Sequence, residues 1–254
     1  MVHGNPTWSF YWRNIVRAFG KTHRAVVPDH LGCGLSDVPS LQEYDYQLAS
    51  RIEDLCRLIE ELDLRDITLL VHDWGGAIGL GAAEEMPDRF SRLVLFNTGA
   101  FVGPCPMRIR LCRTPLLGKL AVQGCNLFAR AAIKMATEQQ GGLPKEVAAG
   151  MLAPYSSWKR RRAVYQFVAD IPLTKNHPTL ATIEKIEHRL PTLAEKEILM
   201  IWGMKDWCFS PWYLNKFESI FPAAQVHRFE DAGHYIVEDE TEAIIEILQA
   251  TLNG

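Results

Sequence analysis

The chain has 254 residues, enough for one large domain or two small ones. Hydrophobic residues make up 48% and charged residues 22%, which is typical of a globular protein with an ample core. A formal net charge of −3 gives no electrostatic reason to expect a nucleic-acid partner. No apolar run is long enough to span a bilayer, and the polar residues from His3 onward argue against a signal peptide.

The six cysteines are scattered along the chain without any C-x-x-C pair. Reduced thiols are the simplest interpretation, which predicts a cytoplasmic protein. We predict neither a metal site nor a cofactor. The one basic run, residues 159–162 (KRRR), is interpreted as a solvated helix face rather than a partner site.

The first third of the chain contains a short series of predicted elements. Residues 1–7 have the character of a strand end that runs into a loop, and the spacing of residues 8–19 predicts a helix. Residues 24–28 are predicted to form a strand, followed by a glycine-rich turn at residues 29–37. Apolar residues at helical spacing then mark one face of a helix: Leu48, Ile52, Leu55, Ile59 and Leu62.

The most informative stretch is residues 67–76. An apolar run of strand length ends at His72 and Asp73, and Gly75 and Gly76 follow. Residues 77–86 then have helical character and stop before a proline. Strand, tight turn and helix are typical of a nucleophile elbow, which places Asp73 at the nucleophile position.

The remaining elements predict an α/β fold. Alternating strands and helices indicate a mostly parallel sheet flanked by helices on both faces. Residues 101–190 interrupt the alternation with proline-rich helical sequence and are predicted to form an inserted cap. The core is predicted to comprise residues 1–100 and 191–254. Its later elements are strands at residues 92–96, 197–202 and 225–229 and helices at residues 211–220 and 240–252.

Side chains that follow the strands carry the predicted chemistry, because function in parallel sheets collects at the carboxyl ends of the strands. Asp206 follows the strand ending at residue 202, and His234 follows the strand ending at residue 229. Nucleophile, acid and histidine thus occur in the chain order of the α/β-hydrolases. Asn97 follows residues 92–96 but is not a carboxylate, so Asp206 is the better partner for the histidine. The alternatives are that Asp206 merely begins a helix and that His234 is structural.

An aspartate nucleophile indicates the class of substrate. A serine that attacked an sp3 carbon would form a stable ether, whereas a carboxylate forms an ester that can be resolved. Asp73 therefore suits halides, epoxides or strained lactones. Asn5 and Trp74 are predicted to bind an oxyanion or a leaving halide beside it.

Four motifs together resemble the haloalkane dehalogenase branch of the α/β-hydrolase superfamily. They are residues 3–7 (HGNPT), 72–76 (HDWGG), 203–206 (GMKD) and 231–234 (DAGH). The resemblance implies that Asp73 is the nucleophile, His234 the base and Asp206 its partner. It also implies that Asn5 and Trp74 form the halide-binding pair.

A narrower resemblance is to the β-lactone decarboxylases of bacterial olefin biosynthesis. It lies in residues 28–37, 96–101, 153–158, 170–173 and 229–235. This resemblance implies conversion of a cis-dialkyl β-lactone to a cis-alkene and CO2, beside other enzymes of the olefin pathway. It leaves open whether Asp73 attacks the ring carbon or the carbonyl. That family has further β-strands before residue 3, so we expect either that the reading frame begins too late or that the fold lacks part of its sheet.

Three rival functions remain. Haloalkane dehalogenase shares every predicted catalytic residue. Epoxide hydrolase would need cap tyrosines, for which Tyr155 and Tyr165 are candidates, and a non-catalytic ligand-binding protein is the third. A substrate with alkyl chains would need an apolar lining, for which the cap offers Leu111, Leu116, Leu117, Leu120, Leu127 and Phe128.

Overall fold

A computed structural model describes residues 1–252 of the chain. Within these residues the strands are β1 (Ile67–Asp73), β2 (Phe90–Thr98), β3 (Glu197–Gly203) and β4 (Gln225–Phe229). The helices before β3 are α1 (Arg13–Phe19), α2 (Leu48–Glu61), α3 (Trp74–Glu85), α4 (Met107–Cys112), α5 (Leu117–Lys119), α6 (Leu127–Met135), α7 (Lys145–Leu152), α8 (Arg162–Ala169) and α9 (Pro178–Arg189). Those after it are α10 (Pro211–Ile220), α11 (Ile236–Asp239) and α12 (Thr241–Leu252).

The four strands form one parallel sheet in the order β1-β2-β3-β4. Leu70 pairs with Val94, and Val94 pairs with Leu199, so the carboxyl ends of the strands lie at one edge. Beyond β1, Val2 forms an isolated parallel bridge to Val71. This bridge holds residues 1–7 beside the end of β1.

Successive side chains of a strand point to opposite faces of the sheet, and here both faces are apolar and buried. Leu69 and Val71 belong to one apolar cluster, and Leu70 belongs to the other. The first cluster also takes side chains from α2, α3, α9 and α10. The second takes them from α1, α11 and α12. The predicted α/β class with helices on both faces is therefore confirmed.

Two features differ from the sequence prediction. Residues 24–28 are not a strand, because within residues 1–252 the one backbone hydrogen bond to them runs from the Met1 amino group to Val26 O (2.8 Å). A strand needs a neighbour that hydrogen-bonds along its length, and Met1 supplies just this one bond. In addition, α3 begins at Trp74, three residues before the predicted start, because the helix follows directly from the turn at Asp73.

The predicted cap segment is helical, with α4 to α9 between β2 and β3. Its division from the core at residues 100 and 190 stays a prediction. The basic run 159–162 is not simply solvated: Arg161 donates to the carbonyl oxygens of Gln123, Gly124 and Tyr155. Arg160 and Arg162 donate to carbonyls of residues 36 and 39 in the core. These arginines therefore pin α8 to its surroundings. None of the helices in residues 1–252 is long and apolar enough to cross a membrane.

Candidate active site

Asp73 occupies the turn between β1 and α3 in a backbone conformation that non-glycine residues rarely adopt. Its φ is 54° and its ψ is −128°. The two glycines that follow Trp74 pack so closely that a side chain would collide with its neighbours. A Cβ on Gly75 would lie 2.2 Å from Val2 O, and one on Gly76 would lie 1.8 Å from Thr98 Oγ1. The Thr98 hydroxyl donates to the Asp73 carbonyl and closes the turn. Strain of this kind is concentrated at functional sites.

The carboxylate of Asp73 is buried and faces the loop after Val2. The backbone N–H of Asn5 donates to Asp73 Oδ1 at 2.5 Å. Burial raises the pKa of Asp73, whereas His234 and the backbone amides of Trp74 and Asn5 lower it in part. The main-chain N–H groups of Asn5 and Trp74 are therefore both directed at the Asp73 carboxylate.

His234 lies between two carboxylates. Its Nε2 is 3.7 Å from Asp73 Oδ2, and its Nδ1 is 2.8 Å from Asp206 Oδ2. Burial by itself lowers the pKa of His234, but the charge and hydrogen bond of Asp206 and the charge of Asp73 raise it above its ordinary value. The His234 carbonyl contacts Nε2 of the buried His72 at 2.8 Å, which fixes the backbone beneath the ring.

Asp206 is itself held by two neighbours. Asn97 Nδ2 donates to Asp206 Oδ2 at 3.0 Å, and the Cys208 N–H donates to Oδ1 at 2.6 Å. Asn97 also bonds both backbone groups of Gly203, which locks the ends of β2 and β3 together. This supporting contact of Asn97 was not predicted from the sequence. The available signal was its position directly after a buried strand.

Asn5 and Trp74 both reach the same cavity as Asp73. The Asn5 side-chain amide donates to Val164 O of α8 at 3.1 Å, which links the loop at residues 3–7 to the cap. The Trp74 indole N–H makes no hydrogen bond to the groups of residues 1–252 and packs beside Phe167, with ring centroids 5.6 Å apart. These two side chains therefore lie beside Asp73 on the wall of one cavity, and their binding role stays a prediction.

The cavity above Asp73 has a volume of about 670 Å³ and is lined mainly by apolar side chains from the cap. Leu111, Leu127 and Phe128 line it, as the predicted alkyl-binding surface requires. Leu116, Leu117 and Leu120 do not line it and are exposed instead.

The candidate tyrosines of an epoxide hydrolase lie elsewhere. Neither Tyr155 nor Tyr165 lines the cavity. The buried Tyr155 hydroxyl donates to the Thr7 carbonyl at 3.2 Å, which is a structural contact. Within residues 1–252, no group of three or more histidine, cysteine and acidic side chains is arranged to hold a metal ion.

Comparison with known proteins agrees with this arrangement. The model of the alpha/beta hydrolase fold family matches residues 1–122 and 142–241. A cis-3-alkyl-4-alkyloxetan-2-one decarboxylase of Shewanella oneidensis is 44% identical over 96% of this chain and 78% of its own length. A protein of the same name from Xanthomonas campestris is 37% identical over 99% of this chain and 87% of its own. Haloalkane dehalogenase 2 of Mycobacterium tuberculosis is 31% identical over 96% of this chain and 84% of its own.

Among solved structures, the haloalkane dehalogenase DbeA from Bradyrhizobium elkani superposes with a TM-score of 0.88 at 23% identity. The match covers 100% of this chain and 88% of DbeA, and it supports the fold alone. The family match and the curated relatives show that this chain belongs to the alpha/beta hydrolase fold family, in the branch that contains cis-3-alkyl-4-alkyloxetan-2-one decarboxylases and haloalkane dehalogenases.

Proposed function

We propose that this protein converts a cis-dialkyl β-lactone to a cis-alkene and CO2, with Asp73 as the nucleophile. The observation that carries the proposal is the position of Asp73 Oδ2, 3.7 Å from His234 Nε2 and on the wall of an apolar cavity. The identity of 44% to a decarboxylase of such lactones supports the choice of substrate.

The proposed reaction needs no water. The Asp73 carboxylate attacks the alkyl carbon that carries the ring oxygen, which forms an ester bond and breaks the ring C–O bond. The lactone carbonyl carbon thereby becomes a free carboxylate. Cleavage of its bond to the adjacent ring carbon supplies the electron pair of the new C=C bond. CO2 leaves, the ester C–O bond breaks, and Asp73 returns as a carboxylate.

His234 and Asp206 are proposed to control charge around this step. A protonated His234, favoured by its two carboxylate neighbours, lies where it can stabilise the carboxylate that forms as the ring opens. The Trp74 indole N–H and the side-chain amide of Asn5 are proposed to bind the lactone oxygens from the same side of the cavity. Asp206 acts through His234 and is a positioning residue.

The apolar lining of the cavity is proposed to hold the two alkyl chains. Ala132 lines the cavity beside the cap leucines. An Ala132→Phe variant would fill part of the space, so turnover of a long-chain lactone should fall more than turnover of a short-chain one. Equal losses for both lengths would contradict this assignment.

The decisive test incubates purified protein with a cis-β-lactone and measures alkene by mass spectrometry. Wild type should form alkene and CO2 in equal amounts, and Asp73→Ala should abolish turnover without loss of the fold. Asp231→Asn is the matched control, because that carboxylate is exposed and pairs with the surface residue Lys205. Undiminished turnover by Asp73→Ala would end the nucleophile assignment.

Haloalkane dehalogenase is the second candidate, favoured by the relative that is 31% identical. Hydrolysis of an alkyl ester on Asp73 needs a neutral histidine as base, typically worth ~10² to 10⁴ in rate. Halide release from a bromoalkane would support this candidate, and His234→Phe should then accumulate a covalent adduct on Asp73, visible by intact mass. Alkene without halide release supports the decarboxylase.

The remaining alternatives have less support. The epoxide hydrolase reading lacks a cap tyrosine in the cavity, since Tyr155 and Tyr165 lie outside it. Assembly with other olefin-pathway enzymes in the cytoplasm is part of the proposal, and the six free cysteines of the described chain favour a reducing compartment. Co-purification with the enzyme that forms the lactone would test this association.

A further inference from the structure

The cap carries unusually exposed leucines. Leu116, which precedes α5, and Leu117, its first residue, are 84% and 76% exposed, and the exposed Leu120 follows α5. Met107 and Leu111 on α4 are also largely exposed. Contiguous exposed apolar side chains of this kind mark interaction surfaces rather than ordinary solvent-facing ones.

Basic side chains accompany these leucines, and acidic ones are absent. The exposed face of α4 has Arg110 beside Leu111, and that of α6 has Arg130 and Lys134 on the same face as Leu127. None of these three cations forms an ion pair with an acidic side chain of residues 1–252. Residues 89–137 contain no aspartate or glutamate.

The same asymmetry extends over the whole chain. Residues 101–190 contain 14 Lys and Arg but only 5 Asp and Glu, whereas the rest of the chain contains 13 and 25. The overall charge of −3 therefore hides a basic cap on an acidic core. A surface that combines basic and apolar side chains is complementary to an anionic lipid bilayer. A protein partner would not require this excess of cations.

The apolar surface is continuous with the active-site cavity. Leu111 and Leu127 both line the cavity, yet each is more than half exposed, so they lie at its mouth. Arg110 lines the cavity as well and is exposed. A bilayer in contact with these side chains would therefore cover the opening through which a ligand reaches Asp73.

We propose that the cap face, defined as the exposed side chains of residues 107–134, binds the surface of an anionic lipid bilayer. Its leucines enter the interfacial region, and its cations contact lipid phosphates. Binding places the cavity mouth against the membrane, where a molecule with long alkyl chains partitions. The inference of membrane binding is drawn from the cap face alone. Only the suggestion that membrane binding serves substrate capture rests on the proposed function.

The test measures binding of the full chain to vesicles by flotation. Vesicles of phosphatidylcholine alone are compared with vesicles in which about a third of the lipid is phosphatidylglycerol. Wild type should bind the anionic vesicles and lose binding as salt is raised. The double variant Arg130→Gln, Lys134→Gln should bind about 25-fold more weakly, at about fivefold for each cation.

A second variant tests the apolar part of the cap face. Leu116→Ser with Leu117→Ser should weaken binding about tenfold or more, because both side chains are exposed and do not line the cavity. Matched controls lie outside the cap: Arg17→Gln with Lys21→Gln for charge, and Leu41→Ser for an exposed leucine. Circular dichroism checks that each variant is folded.

The proposal is overturned if wild type does not bind anionic vesicles, or if the controls lose as much binding as the cap variants. It is also overturned if the leucine variant instead abolishes self-association in sedimentation velocity, since the cap face would then cover a second copy of the chain. The vesicle assay contains no lactone. Vesicle binding without alkene formation would therefore refute the proposed reaction and leave the docking intact.

Discussion

Replacement of Asp206 by asparagine removes one charge from the buried centre of the site and changes little else in shape. Asp206 Oδ2 is 2.8 Å from His234 Nδ1, and both side chains are buried. Breaking a buried ion pair at one partner costs about 3–5 kcal/mol of folding free energy. A correctly positioned and protonated histidine is typically worth ~10² to 10⁴ in rate, which the loss of Asp206 would remove if His234 acts in the rate-limiting step. We expect kcat/KM for alkene formation to decrease by ~10² to 10⁴.

The same variant should reverse the direction of the pKa shift of His234. Asp206 is the main source of the raised pKa, and burial acts in the opposite direction. With the charge removed, burial dominates, and the pKa should fall below its ordinary 6.5. An NMR titration of the His234 ring in both proteins measures this change directly. The raised pKa of His234 stabilises the folded wild type when the histidine is protonated. The loss of unfolding free energy caused by Asp206→Asn should therefore be largest below pH 6.5 and should decrease as pH rises through the pKa of folded His234.

Asp231→Asn is the control for this experiment, since its carboxylate is exposed and should affect neither kcat/KM nor the His234 titration. The reasoning is refuted if Asp206→Asn leaves the pKa of His234 unchanged. A loss of activity with an unchanged titration would mean that Asp206 acts through structure alone.

Two further predictions concern stability. Arg13→Ala should lower the unfolding free energy by about 3–5 kcal/mol, because Arg13 makes two hydrogen bonds to the buried carboxylate of Glu238, at 2.5 and 2.8 Å. Arg57→Ala, which breaks an exposed pair, should cost less than about 1 kcal/mol, and equal costs in urea titrations would contradict this contrast. Gly76→Ala should cost about 1–3 kcal/mol, since its Cβ would lie 1.8 Å from Thr98 Oγ1. An unchanged midpoint of thermal unfolding would show that the turn relaxes freely.

The local pattern of side chains determined much of the fold. The apolar run before Asp73 with the glycines after it identified the turn, and β4 and α10 have the predicted bounds. Periodicity succeeds here because it reports which faces of a strand or helix are buried. The order of Asp73, Asp206 and His234 along the chain similarly indicated three side chains at one sheet edge. The structure places both carboxylates within hydrogen-bonding or ion-pair distance of His234.

Tertiary contacts decided the rest. Residues 24–28 have the composition of a strand but lack a paired neighbour, and composition cannot report whether one is present. Leu111 lines the cavity whereas Leu116 faces outward, although both belong to the same apolar segment. Asn97 reaches Asp206 in the candidate site only because β2 and β3 lie side by side. Strand pairing and burial depend on residues far apart in the chain. The sequence alone therefore determined most helices and strands and the order in which the site residues occur, while packing determined which side chains meet.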